Sequence, residues 1–140
     1  RGRKMDGVLP LLEPPRFTGP ADAEVTLVGW GSTEGVIDEA VEQLEAHGIV
    51  ANHLQIRWLV PLQSEAIGRA LSGARNIVVV ENNYSGQFAR YLRSETGIAA
   101  DAHIRKYDGE PFMPHHVVNG VEKILAGKTT RYVPVHEIRV

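Results

Sequence analysis

NIVVVENNYSGQFARYLRSETGI, residues 76–98, decides the fold. Ile77, Val78, Val79 and Val80 are mostly β-branched and show no alternation, which is how a strand covered on both faces of a parallel sheet reads. Glu81 ends that run with a charge. Asn82, Asn83, Tyr84, Ser85 and Gly86 supply turn formers, and after Gln87 a helical apolar face opens with Phe88, Tyr91 and Leu92. The order of strand, turn and helix puts the charged and amide groups at the carboxyl edge of the sheet, the usual ligand or partner surface of an open α/β fold. Two readings of this turn stand side by side. Either the asparagines turn the chain and Ser85 caps the helix, or residues 81–87 bind something.

The same rhythm extends in both directions. Upstream, Val25, Leu27 and Val28 make a first strand, Gly29, Trp30, Gly31, Ser32 and Thr33 a turn, and Ile37, Ala40, Val41 and Leu44 a helix that Gly48 stops. A second strand spans residues 53–58, where Leu54, Ile56 and Trp58 alternate. Ser64 is placed to cap the next helix, which carries Ile67, Ala70 and Leu71. Downstream, residues 103–105 read as a short fourth strand, and Val117, Val118, Val121, Ile124 and Leu125 form the strongest amphipathic pattern in the chain. A βαβαβα order demands right-handed crossovers and a parallel sheet with helices on both faces. Residues 1–24, rich in proline and glycine, read as a connector from an upstream domain, residues 25–127 as the α/β domain, and residues 128–140 as a C-terminal extension. Within that extension, residues 131–140 alternate weakly, as an edge strand or a segment trailing along a partner would.

Composition excludes several functions. A chain of 140 residues with 43% hydrophobic and 23% charged residues suits one domain. Its net charge of −2 argues against a nucleic-acid partner, with Arg1, Arg3 and Lys4 read as a solvated tail. Without cysteine there is no thiolate zinc site, no cysteine nucleophile and no cysteine-ligated iron–sulfur cluster. No apolar run approaches the roughly 20 residues needed to span a bilayer, so a soluble cytoplasmic protein without membrane contact is expected. The start at Arg1 reads as that of a piece excised from a longer polypeptide.

Few motifs carry chemistry. GWGSTEG, residues 29–35, links a strand to a helix whose N-terminal amides would suit an anion, yet it lacks both the dinucleotide spacing and the Gly-Lys-Ser/Thr ending of a nucleotide loop. Glycine there equally serves a tight turn and close helix packing. The six histidines show no metal-binding spacing and are read as surface or helix-entry residues, with His115 and His116 pointing different ways. Ser32 and Ser85 sit in no nucleophile motif. Arg57 and Trp58 stand at the end of the second strand. They resemble an interface anchor, with an Arg57–Glu81 ion pair as the alternative.

GWGSTEG, HLQIRWLVPLQSE, VVVENNYSGQFARYLRSETGI and IRKYDGEPF, in that order, resemble the C-terminal region of the α subunit of 2-oxoacid:ferredoxin oxidoreductases, the 2-oxoglutarate enzymes most of all. The resemblance covers residues 23–125. It implies a transketolase C-terminal-like domain, a three-layer α/β/α unit around a mostly parallel five-stranded sheet with one antiparallel strand. It further implies an assembly that oxidatively decarboxylates a 2-oxoacid with thiamine diphosphate and magnesium, passes electrons through an iron–sulfur cluster to ferredoxin, and forms an acyl-coenzyme A. In that family the cluster and the main diphosphate and magnesium ligands belong to the β subunit, and an upstream α-subunit domain completes the thiamine site. No catalytic or metal-binding residue therefore carries over to this chain. Its implied role is scaffold and contact, through Gly29, Trp30, Gly31, Ser32 and Thr33, through Glu81, Asn82, Asn83, Tyr84, Ser85, Gly86 and Gln87, and through Arg57 and Trp58. Two other readings remain. One is a domain that binds coenzyme A or another small anion at the helix N-termini after Gly31 and Ser85. The other is a domain of a different thiamine enzyme, a transketolase or an E1 β subunit.

Overall fold

A computed structural model describes residues 12–83 and 85–134. Six strands form one sheet: β1 (Arg16–Thr18), β2 (Val25–Trp30), β3 (Ala51–Ile56), β4 (Ile77–Glu81), β5 (Ala102–Arg105) and β6 (Arg131–Tyr132), in the spatial order β1-β3-β2-β4-β5-β6. Among the described residues only the β1–β3 pair is antiparallel. Among the described residues four helices cover it: α1 (Glu34–Ala46), α2 (Ser64–Leu71), α3 (Gln87–Thr96) and α4 (Pro114–Leu125).

The sheet is sandwiched by two apolar cores. On one face Val25, Leu27, Val78, Val80 and Ile104 pack against Ile37, Ala40 and Leu44 of α1 and Val117, Val118 and Val121 of α4. On the other, Val28, Leu54, Ile56, Ile77 and Val79 pack against Ile67 and Leu71 of α2 and Phe88, Ala89 and Leu92 of α3. All five residues of β4 are buried. That double cover is why its sequence shows no alternation, since neither face meets water. The three-layer, mostly parallel architecture expected from sequence is present.

Several details differ from expectation. The sheet has six strands instead of five, because both flanking segments contribute. Residues 16–18, within the stretch read as a connector, pair with β3 in the register Arg16↔Gln55, Phe17↔Leu54 and Thr18↔His53. Pro14, Pro15 and Pro20 keep this stretch extended, and its backbone satisfies the otherwise open edge of β3. At the opposite edge, Arg131 and Tyr132 lie parallel to β5, the edge-strand alternative for that segment. Residues 1–11 and 135–140, with the basic start at Arg1, Arg3 and Lys4, lie outside the described residues. The second strand ends at Ile56, aligned with the last residue of β2, so Arg57 and Trp58 leave the sheet where no neighbouring strand remains to pair with them. Ser64 begins α2 without giving a side-chain cap.

Candidate functional site

The strand order creates one topological switch. From β2 the chain enters a 3-10 turn (Gly31–Thr33) and α1 on one face, while from the adjacent β4 it enters α3 on the other face. The two loops nominated from sequence therefore meet at the crevice where α/β sheets ordinarily bind ligands. In the first loop, a Cβ added at Gly29 would lie 2.4 Å from Ile37 Cδ1 and 2.7 Å from Thr33 Oγ1. Close packing of turn and helix thus requires glycine at that position. Thr33 is buried and its hydroxyl donates to the Trp30 carbonyl at 3.0 Å, whereas Gly31 and Ser32 are exposed. Trp30 is 39% exposed, with its ring 6.2 Å from that of Phe88 across the crevice.

The second loop is organised around Glu81. Its side chain is fully buried: Oε1 accepts from Asn83 Nδ2 at 2.6 Å and from the Phe88 amide at 2.8 Å, and Oε2 accepts from the Ala89 amide at 3.0 Å. Asn83 Oδ1 accepts in turn from the amides of Gly86 (2.8 Å) and Gln87 (3.2 Å). The amides of residues 86–89, which open α3 and have no partner within the helix, are all engaged, with a carboxylate at the positive end of the helix dipole. Ser85 is therefore not the cap. Asn83 and Glu81 cap the helix, and an anion at the N-terminus of α3 would have to displace the domain's own carboxylate. Asn82 is exposed, and Tyr84 lies outside the described residues.

Arg57 does not pair with Glu81, because β2 lies between β3 and β4. It donates instead to Glu34 Oε2 at 2.8 Å. Arg16 donates to the same oxygen at 2.8 Å and to Asp38 Oδ1 at 3.2 Å, tying β1 to α1. Asp38 also meets the buried His53 at 2.8 Å through Nδ1, and His53 Nε2 meets Gln55 Oε1 at 2.8 Å. Burial pushes the Asp38 carboxyl up, but hydrogen bonds from Arg16 and His53 outweigh it and hold the group below its ordinary value. The reading of all histidines as surface residues fails at His53. The sheet buries it, and both ring nitrogens are already engaged, so neither is left for a metal or substrate. His115 and His116 do not diverge, since their rings lie 4.2 Å apart. Trp58 and Val60 remain 45% and 68% exposed just beyond β3.

A second concave feature was not legible in sequence. On the α3 side of the sheet, beyond α3 itself, a cleft of about 300 Å³ is lined by Ser85, Arg90, Arg105, Tyr107, Arg131 and Val133. The three arginines come from α3, β5 and β6, separated in sequence by 15 and 26 residues (105 − 90 and 131 − 105). No periodic pattern groups them. The register places Arg131 beside His103 and Arg105 beside Glu81. Burial lowers the His103 pKa and the charges of Arg105 and Arg131 lower it further, with Glu81 opposing. Its Nδ1 and Arg105 Nε are buried without a hydrogen-bond partner.

The described residues do not fit the iron–sulfur cluster or the metal ion implied for the full assembly. There is no cysteine for a cluster. Among the described residues no group of three or more His, Asp or Glu gathers to hold a metal ion. Nor, among those residues, is any helix long and apolar enough to cross a membrane.

Sheet order and helix cover define a transketolase C-terminal-like domain. A split-gene transketolase, solved as an inactive β4 tetramer, superposes over 84% of this chain and 44% of its own at a TM-score of 0.59 and 25% identity. The chain belongs to the pyruvate:ferredoxin oxidoreductase core domain II family, whose model matches residues 23–117. The α subunit of a 2-oxoacid:ferredoxin oxidoreductase from Saccharolobus solfataricus is 36% identical over 118 residues, 84% of this chain and 18% of that protein. The 2-oxoglutarate:ferredoxin oxidoreductase of Magnetococcus marinus, solved with 2-oxoglutarate, coenzyme A and succinyl-CoA bound, matches at 28% identity and a TM-score of 0.78, over 84% of this chain and 21% of its own. The chain thus spans about a fifth of the length of such relatives.

Proposed function

We propose that this chain is the C-terminal scaffold and subunit-contact domain of the α subunit of a 2-oxoacid:ferredoxin oxidoreductase, with 2-oxoglutarate as the substrate of the whole assembly. Residues 25–127, extended by the edge strands β1 and β6, form the α/β unit of this proposal, joined to upstream domains of the same subunit and meeting a β subunit that carries thiamine diphosphate, magnesium and the iron–sulfur cluster. Coenzyme A and ferredoxin are partners of the assembly, and its setting is the cytoplasm.

One observation carries the contact role. At the switch point, where an enzyme would present reactive groups, the charged side chains are engaged internally: Glu81 by the start of α3, and Arg57 and Arg16 by Glu34. Among the described residues, the large groups left exposed at that edge include the two indoles, Trp30 and Trp58, with Val60. Aromatic side chains on a rigid edge anchor partners. Likeness to the Magnetococcus enzyme supports 2-oxoglutarate as the substrate.

The test is Trp58→Ala, alone and with Trp30→Ala, in the complete assembly. Burying an exposed indole at an interface is worth about 2 kcal/mol or more, so subunit affinity should fall at least about thirtyfold. Unchanged association and unchanged turnover would remove the contact role.

A further inference from the structure

We propose that the arginine cleft beside α3 is a binding site for a phosphoryl group of a small molecule. The inference goes beyond the contact role and does not depend on it.

Three guanidinium-bearing side chains line one cleft from three different elements, and among the described residues no carboxylate forms an ion pair with any of them. Two of them are held in place by the 81–87 loop. Arg90 donates through Nη2 to the Ser85 carbonyl at 3.1 Å. Arg105 packs so closely on Gly86 that a Cβ there would lie 2.3 Å from Nη2, and Gly86 has φ +68. Ser85 and Gly86 thus form a wall against which both guanidiniums rest. Arg131 completes the group from the edge strand, one strand across from His103.

Like charges gathered in this way repel one another, and a fold that keeps three together with no carboxylate paired to any of them among the described residues, the nearby Glu81 being taken up by the start of α3, gains by accepting an anion. A carboxylate has two oxygens and one charge, matched by a single bidentate arginine. A phosphoryl group presents three oxygens and up to two charges, and so answers to donors arriving from three directions. The volume, about 300 Å³, exceeds that of one phosphate and sits at the lower end of small-molecule pockets, leaving room for a phosphate-bearing ligand along Tyr107 and Val133. The anion site expected at the N-terminus of α3 is thus displaced to the flank of the same helix.

Titration of the full 140-residue chain with inorganic pyrophosphate, followed by the NMR signals of the arginine Nε–H groups and of the His103 ring, tests the proposal. Sodium acetate and sodium chloride at matched ionic strength serve as references. Saturable shifts at Arg90, Arg105 and Arg131, together with an upward move of the His103 titration midpoint, are expected with pyrophosphate and not with acetate. Arg131 is exposed on a two-residue edge strand, so Arg131→Ala should fold normally and weaken binding by about tenfold or more, the loss of one charge-assisted contact. Arg131→Lys should fall between, and Arg69→Ala, on α2, should change nothing. Coenzyme A shifting the same signals would identify an esterified phosphate as the ligand, and a response to pyrophosphate alone a free one; both support the site. Equal shifts with acetate, or none with pyrophosphate, would overturn it. So would loss of subunit association in the assembled Arg131→Ala enzyme without any pyrophosphate response, which would assign the cleft to an acidic segment of a partner.

Discussion

Replacing Glu81 by glutamine isolates the interaction on which the switch-point loop depends. The substitution keeps the volume of the side chain and one acceptor oxygen. That oxygen can retain the bonds from Asn83 and Phe88, which leaves the new amide NH₂ facing the Ala89 N–H, donor against donor. One charge-assisted bond is lost at about 1.5–3 kcal/mol, and the favourable placement of an anion at the start of α3 is lost at about 0.5–1 kcal/mol. Relief of the buried carboxylate's desolvation works in the other direction. It is outweighed because three donors at 2.6–3.0 Å already replace its water. The net expectation is about 2–4 kcal/mol, a large share of the roughly 5–15 kcal/mol that holds an ordinary domain together. Urea unfolding of the wild-type and Glu81→Gln chains at pH 7, read as a change in midpoint at constant slope, measures it. A difference below about 0.5 kcal/mol would refute the view that Glu81 is a structural cap.

Two further perturbations probe the frame around the site. Gly29→Ala forces a methyl into Ile37 and Thr33 and should destabilise the fold by about 1–3 kcal/mol, read by thermal or urea unfolding. The folded state resists protonation of His103, which the unfolded chain accepts near its ordinary value of about 6.5. The associated stability is therefore complete above that pH and declines as pH falls through and below it. Wild type should lose more stability than His103→Gln between about pH 7.5 and 5, and parallel curves would contradict the assignment.

Much of the fold was legible in sequence because β2 and β4 and the faces of α1 and α4 advertise burial through unbroken or 3.6-periodic apolar residues. What escaped depended on long-range pairing. Phe17 and its neighbours look like part of a proline-rich connector until the open edge of β3 is there to receive them. His53 looks like a surface residue until Asp38, 15 positions earlier, is brought beneath it. Glu81 looked like a charge that ends a strand. Its role as a cap became visible only when α3 folded back over it. The arginine cleft assembles from three separate elements, and no local pattern announces it. Residues 29–33 and the described residues of the 81–87 loop lie together at the sheet's carboxyl edge, as the strand-to-helix order read from sequence requires wherever the strands run parallel.

The central claim is that this edge is covered by other parts of an oxidoreductase assembly. Hydrogen–deuterium exchange on the 140-residue chain alone and within the complete assembly tests it most directly. The account predicts slower exchange in the assembly at residues 29–33, 57–60 and 81–87, with the buried strand β4 (residues 77–80) as an internal reference. Identical exchange in those three segments, with protection appearing elsewhere, would contradict it.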